Sequence, residues 1–301
     1  MAKRAILLTG GTGQVGLELL RQPWPDDVTL LAPARSELDL SSRAEAEQWF
    51  AGRQIDAIIN AAAYTAVDRA EDNAEAAFLT NAQGPALLAD IAQQRTIPLL
   101  HVSTDYVFDG ALDRPYREDD AVAPLGIYGA SKLAGERAVR DGAARHIILR
   151  TAWVISAQRN NFLKTMLRLA AERPGLRVVA DQQGCPTSAR DIAAVLRAIA
   201  LMQITDLGGP TGTYHFVNAG RTTWHGLAEG IMAASAECGG PHVPVTPISS
   251  AEYPQRAPRP ANSRLDTAKI ERDFGIIPRP WQEAVTEIVT ELLAPETRIT
   301  A

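Results

Sequence analysis

The chain has 301 residues, 46% of them hydrophobic and 22% charged, enough for one or two globular domains with a full core. Its formal net charge of -5 leaves no basic footprint, which argues against nucleic acid as a partner. Two cysteines, Cys185 and Cys238, are too few for a disulfide framework, and no apolar run approaches the ~20 residues of a spanning helix, so a cytoplasmic setting without a membrane partner is expected.

In chain order, short apolar runs alternate with helical patterns. Ala5–Gly10 reads as a buried strand, with a helix from about Gly13. The basic residues ahead of it mimic the start of a signal peptide, but the apolar run is far too short for one. Val28–Ala32 is a second strand, and "SSRAEAEQWFAG" a helix with Ser41 or Ser42 as N-cap. Asp56–Ala63 is a third strand. "NAEAAFLTNAQGPALLADIAQQ" is a long helical segment with an irregularity expected at Gly84-Pro85. Ile97–Thr104 is a fourth strand, a helix starts near Leu125, and His146–Val154 is a fifth strand. Such alternation implies a parallel sheet covered on both faces, an α/β fold of the Rossmann doubly wound type.

The second half has more Pro and Gly and shorter strands. "LRVVADQQGCPTS" reads as strand and turn, and a helix runs from Ser188 to about Met202. "GTYHFVNAG" suits one more strand of the main sheet, "YPQRAPRPANSRLD" a loop, and "PWQEAVTEIVTELL" a closing helix. The expected division is a nucleotide-binding domain over 1–154, rejoined by a strand near 212–219, and a smaller, mainly substrate-binding lobe over 155–301.

"GGTGQVG" (Gly10, Gly11, Thr12, Gly13, Gln14, Val15, Gly16) follows the first strand and opens a helix. It satisfies both GxGxxG and GxxGxxG. Glycines permit the tight turn and close backbone approach to a pyrophosphate, and the helix start supplies N–H donors. The strand–turn–helix context favours a nucleotide over a plain turn. Sites that prefer NAD carry an acid about 20 residues on, at the end of the second strand. Here Arg35 and Ser36 follow that strand instead. Arg35 either meets a 2′-phosphate, which favours NADP(H), or is an exposed loop residue. Asp39 is the first acid placed to meet an adenine.

The fourth strand ends in Ser103, Thr104 and Asp105, and ligands in open α/β sheets lie beyond the carboxyl ends of strands. Tyr128 and Lys132 come next, four apart on a helix and so on one face. Spacing alone leaves them open between a catalytic pair and two ordinary side chains. A free phenol has a pKa of about 10, and a nearby cation would lower it toward the range useful for proton transfer.

These residues, in this order, resemble the extended short-chain dehydrogenase/reductases: a glycine loop, a Ser or Thr closing the fourth strand, then Tyr-x-x-x-Lys. "NAAAYT" (Asn60–Thr65) matches that family's segment lining the cofactor after the third strand. "STDYVFDG", "YGASKLAGE", "RTAWV", "NNFLKTMLRLA", "DQQGCPTSARDIA" and "RPANSRLD" narrow the resemblance to the dTDP-4-dehydrorhamnose reductases. It implies NAD(P)H-dependent reduction of the C4 keto group of a dTDP-sugar, the last step of dTDP-L-rhamnose synthesis. By the same resemblance, Tyr128 would protonate the C4 oxygen. Lys132 would hold the nicotinamide ribose and depress the tyrosine pKa, and Thr104 would orient the keto oxygen. Asp105 and Trp153 would meet the sugar. Gly10 to Gly16, Arg35, Asp39, Leu40, Ala62, Ala63, Tyr64 and Thr65 would hold the cofactor. A different nucleotide-sugar 4-ketoreductase or epimerase, or a non-catalytic NADP-binding regulatory subunit, is the alternative.

Plainer readings stand beside these. Trp153 is either pocket wall or core. His101, inside an apolar strand, reads as a satisfied structural histidine. His215 and His225 lack metal-ligand spacing with the cysteines, and Cys185 reads as packing. Arg256, Arg259 and Arg264 are either a solvated edge or contacts to a diphosphate, with Arg259 the candidate substrate contact. The resembled family is associated with magnesium-dependent homodimers held by carboxylates. Arg190 stands where an acid would be wanted, and Glu287 and Glu291 are the candidates left, so Mg2+ and a homodimer stay open with no ligand set assigned.

Overall fold

The computed structural model describes residues 3–206 and 208–294. Six strands form one sheet in the spatial order Val28–Leu31, Arg4–Thr9, Ala57–Asn60, Leu99–Thr104, His146–Thr151, Gly212–His215. Every neighbouring pair is parallel. The chain starts at Arg4–Thr9, winds outward to Val28–Leu31, then crosses back to Ala57–Asn60 and continues the other way. The crevice at that reversal, beyond the carboxyl ends, is where such sheets take ligands.

Strand side chains alternate between the two faces of the sheet, and both faces are covered. Ile6, Leu8, Ile59 and Leu149 face the helix Ala189–Thr205 through its Ile192, Leu196 and Ile199. Leu7, Ile58 and Ile148 face the helices Arg43–Phe50 and Gly84–Arg95, with Val139 of the helix Ile127–Gly142. This two-sided burial is why the strands read as continuous apolar runs. Ser42 caps Arg43–Phe50, its side chain accepting from the Glu45 N–H. A separate core joins the helices Phe162–Glu172, Trp224–Glu237 and Trp281–Leu293 through Leu163, Leu227, Ile231, Val285 and Val289. The strands around it are short pairs, Leu176–Val179 with Val245–Ile248 and Gln183–Gly184 with Thr222–Thr223.

Three details depart from the sequence reading. The third strand is shorter than Asp56–Ala63, since it leaves the sheet at Asn60 to enter the crevice. The fifth ends at Thr151, not Val154, because Trp153 turns the chain with φ 47° and Val154–Ile155 pairs with Thr187–Ser188 instead. The helical irregularity is a π turn at Leu79–Gln83, directly before Gly84-Pro85. Pro85 has no N–H to return to the Asn81 carbonyl. Gly135 packs against that carbonyl, where a Cβ would come within 2.0 Å of it.

Candidate active site

The glycine loop is folded hard onto the end of the third strand. Gly10 has φ +76°, and a Cβ on it would lie 2.5 Å from the Ala61 backbone; one on Gly16 would lie 2.1 Å from the Gly10 carbonyl. Only glycine fits at either place. No side chain caps the helix Gln14–Leu20 that follows, so its first-turn N–H groups are available to a ligand. The far lobe braces this loop. The Gln14 side-chain oxygen accepts from Ser156 Oγ at 2.8 Å and Asn161 Nδ2 at 3.0 Å, and Arg159 Nε donates to the Thr12 carbonyl at 2.7 Å.

Two cavities, of about 400 and about 910 Å³, share Gly10, Thr12, Arg35, Ala62 and Thr80 as walls and so form one cleft. The smaller is bounded by Arg35, Asp39 and Leu40. Arg35 is exposed, its guanidinium 3.7 Å from Asp39. The backbone N–H and hydroxyl of Ser41 hold the Asp39 carboxyl below its ordinary range, and Arg35 adds to this. The larger cavity is walled by Gly13, Gln14, Val15, Ala63 and Thr65 on one side, and by Thr104, Asp105, Tyr128, Lys132 and Trp153 on the other. The cleft thus runs from the glycine loop to the Tyr–Lys helix.

Tyr128 and Lys132 share the face of Ile127–Gly142 turned to the fourth strand. No side chain of its own caps this helix; Glu71 does so from another segment, accepting from the Ile127 N–H at 2.9 Å. Gly129 lets the helix start rest on the Tyr106 carbonyl, 2.1 Å from where a Cβ would be. Asn81 ties the helix to the third-strand segment. It exchanges two hydrogen bonds with the backbone of Tyr64 and donates to Ser131 Oγ at 3.0 Å.

Burial pushes the Tyr128 phenol up to about 12, with hydrogen bonding to Thr104 opposing and the charge of Asp105 adding. The expected depression by Lys132 is absent. The ammonium instead donates to the Val102 carbonyl at 2.8 Å and lies 3.4 Å from His101 Nε2. Burial draws Lys132 down to about 8, against the pull of Glu136. Thr104 donates to Asp105 Oδ1 at 3.0 Å and accepts from the Tyr106 N–H. Burial raises the Asp105 carboxyl to about 6, with Ser263 and Thr104 opposing. Three buried oxygens here, Ser103 Oγ, Asp105 Oδ2 and Thr151 Oγ1, have no hydrogen-bond partner among the described residues. Buried polar atoms are rarely left so, and this cluster of them at two strand ends fits a polar ligand.

Trp153 is clamped by neighbours. Its indole lies over Gly184, where a Cβ would come within 2.3 Å, and stacks on Trp224 at 3.7 Å and 12°. Both lie in the cleft wall. Thr151, Asn161 and Trp224 are wall residues given no role from the sequence, although Thr151 lies in the stretch "RTAWV" and Asn161 in "NNFLKTMLRLA". Asn161 did carry a signal, as the N-cap of Phe162–Glu172, its side chain accepting from the Lys164 N–H. Three expected contacts lie outside the walls, Gly16 among them, packed against the Gly10 carbonyl. Tyr64 joins the framework through its backbone, and Arg259 donates to Asp68 at 2.7 Å and to Gln255 at 2.9 Å. Arg256 pairs with Asp72, and Arg264 is buried against Asn262.

A magnesium site is not supported. Glu287 pairs with Arg190 and Arg279, and Glu291 pairs with Arg190 and Arg21. No group of three metal-ligating side chains occurs among the described residues.

A family profile described as the RmlD substrate binding domain matches residues 4–294. A dTDP-4-dehydrorhamnose reductase of Sinorhizobium fredii is 43% identical over 289 residues, covering 96% of this chain and 97% of its own. Its counterpart in Salmonella typhimurium is 40% identical over 298 residues, covering 97% and 99%. Among solved structures, the dTDP-4-dehydrorhamnose reductase of Bacillus anthracis in complex with NADP superimposes with a TM-score of 0.89 at 33% identity, covering 96% of this chain and 99% of that one.

Proposed function

Because the chain belongs to the dTDP-4-dehydrorhamnose reductase family, we propose that it reduces the C4 keto group of dTDP-4-dehydro-L-rhamnose to dTDP-L-rhamnose, using NADPH or NADH. The observation that carries this reading is the single cleft that joins the glycine loop to Thr104, Tyr128 and Lys132, in a chain matched to reductases over nearly its whole length.

When bound in the cleft, a reduced nicotinamide would supply the hydride. The protein's part is to deliver a proton to the oxygen that becomes an alkoxide. Tyr128, with its phenol at about 12, is neutral at physiological pH and therefore carries the proton. It is a stronger acid than an alcohol, so transfer to the alkoxide runs downhill. Lys132, drawn down to about 8 by burial, lies in the cleft wall on the same helix face and is placed to hold the nicotinamide ribose. Thr104 has a lone pair for a sugar hydroxyl, and Asp105 Oδ2 accepts from a sugar hydroxyl, which relieves its lack of a partner. Trp153 closes the sugar end, and Gly10 to Val15 take the diphosphate of the dinucleotide, with Asp39 and Leu40 at the adenine. The two cysteines are unpaired, Cys185 buried and Cys238 exposed, and no helix among the described residues is long and apolar enough to cross a membrane; the cytoplasm, where activated sugars are made, suits both.

A panel of 4-keto dTDP- and UDP-sugars, followed by loss of NADPH or NADH absorbance, tests the reading. The expected result is turnover highest with dTDP-4-dehydro-L-rhamnose. Equal or higher turnover with a UDP-sugar would overturn the substrate assignment.

A further inference from the structure

His101 is wholly buried in the fourth strand and has no part in the chemistry described so far. It is wired at both ends. Thr9 Oγ1 donates to Asn60 Oδ1 at 2.7 Å and the Ala62 N–H donates to the same oxygen at 3.2 Å. These two donors fix the Asn60 amide, so its Nδ2 faces His101 Nδ1 at 3.0 Å as a donor. Nδ1 must then accept, and the ring hydrogen of a neutral imidazole sits on Nε2. That nitrogen lies 3.4 Å from Lys132 Nζ. An ammonium has only donors, so it meets a donor at this contact, whereas a neutral amine could accept there.

We propose that His101 is a positioning residue acting through Lys132: locked by Asn60 as the Nε2–H tautomer, it withholds an acceptor from the ammonium and so sets how much positive charge the lysine keeps at the cleft. The rest of the surroundings leaves this role open to it. From its own helix Lys132 faces Tyr128 and Glu136, and Arg150 of the fifth strand grips Glu136 at 2.8 and 2.7 Å while Arg140 lies 3.7 Å away. Asp105 closes the fourth strand across the cleft, and Glu71 caps the helix start. The third strand brings only the neutral Asn60, and the Leu79–Gln83 turn the neutral Asn81. The helix Gly84–Arg95 brings Asp90, already paired with Arg43 at 2.5 Å. Buried His101 itself is held well below its ordinary pKa by burial and by Lys132, so it stays neutral while the lysine titrates.

The consequence for turnover rests on the reductase reading, but the proton positions do not, and they can be read without a substrate. The chain has four lysines, Lys3, Lys132, Lys164 and Lys269, and five histidines, so side-chain NMR of the full chain labelled at lysine 13Cε and imidazole 15N is tractable. The wild type should show His101 as the Nε2–H tautomer. Asn60→Asp should reverse the tautomer, because a carboxylate takes the hydrogen on Nδ1, and should raise the Lys132 midpoint by roughly one unit or more. In the double variant Asn60→Asp/His101→Phe that rise should fall by at least half, leaving the direct effect of the new charge. An Nδ1–H tautomer in the wild type would overturn the proposal, and that measurement needs no variant to fold. A full rise in the double variant, or a reversed tautomer with no movement of Lys132, would overturn it equally.

Discussion

Two buried ionic clusters flank the helix Ile127–Gly142, and they are built in opposite ways. One turn beyond Lys132, Glu136 meets Arg150 through both oxygens, at 2.8 and 2.7 Å, both side chains almost wholly buried. The Phe108 ring lies 5.0 Å from the same guanidinium. Here charge is matched by charge, and the arrangement has no ligand to wait for. At the cleft end, Asp105 and Lys132 are just as buried, but among the described residues neither has an ion-pair partner, and Asp105 keeps one oxygen without any partner. The first cluster holds strand to helix. The second is left incomplete, and its titration is displaced as a result: the carboxyl up to about 6, the ammonium down to about 8. Incomplete solvation of buried charge is costly to folding and is tolerated where function needs it.

The comparison can be broken most sharply at Arg150. Arg150→Met strands Glu136 in the core and should cost about 3–5 kcal/mol in urea unfolding, while Glu136→Leu/Arg150→Met together should recover much of that. A double variant no more stable than the single one would contradict the matched-pair account. Asp105→Asn should do the reverse and stabilise. The carboxyl is raised in the folded state, so its contribution is fully present below the unfolded value near 3.8 and is lost as pH rises through about 6. The asparagine variant should therefore gain on the wild type across that window and hold an advantage on the order of 2–3 kcal/mol at pH 7. Its KM for the sugar nucleotide should rise at the same time, and urea midpoints taken from pH 4 to 8 would expose a missing pH dependence.

A smaller effect is expected at the sugar end. Trp224→Ala removes the ring stacked on Trp153 and should raise the KM for the sugar nucleotide about 10-fold, with kcat less affected, consistent with about 1.4 kcal/mol, the upper end for an aromatic pair. A loss confined to kcat would place Trp224 in the chemistry rather than in the wall. The smallest effect is at Arg35, exposed and loosely paired. Arg35→Ser should weaken NADPH relative to NADH by less than about 10-fold, as measured by the two KM values. An unchanged ratio would assign the residue to solvent.

The same contrast explains what could be read from the chain before folding. The parallel sheet was legible because both its faces are buried, which leaves apolar runs such as Ala57–Ile59 with no polar interruption. The glycine loop, Thr104, Tyr128 and Lys132 could be singled out because a close backbone approach demands glycine and because one strand end and one helix turn set their spacing, and the structure brings them to one cleft. The far lobe was less so, since its strands are two to four residues long and its wall residues, Asn161 and Trp224, are brought in by tertiary packing. Arg259 could not be placed for a related reason: an Arg in a Pro-rich loop has the chemistry for a diphosphate, and only the structure reveals Asp68 beside it. The state of the phenol was beyond the sequence altogether. Proximity in sequence suggested that Lys132 would lower it, but burial acts on Tyr128 more strongly, and the lysine is engaged with the Val102 carbonyl.

The claim that Tyr128 supplies the proton is tested most directly by Tyr128→Phe, assayed for NADPH loss with dTDP-4-dehydro-L-rhamnose and, separately, for NADPH binding. The account predicts a fall in kcat of about 10²- to 10⁴-fold with cofactor affinity little changed. Wild-type turnover in the phenylalanine variant would contradict it.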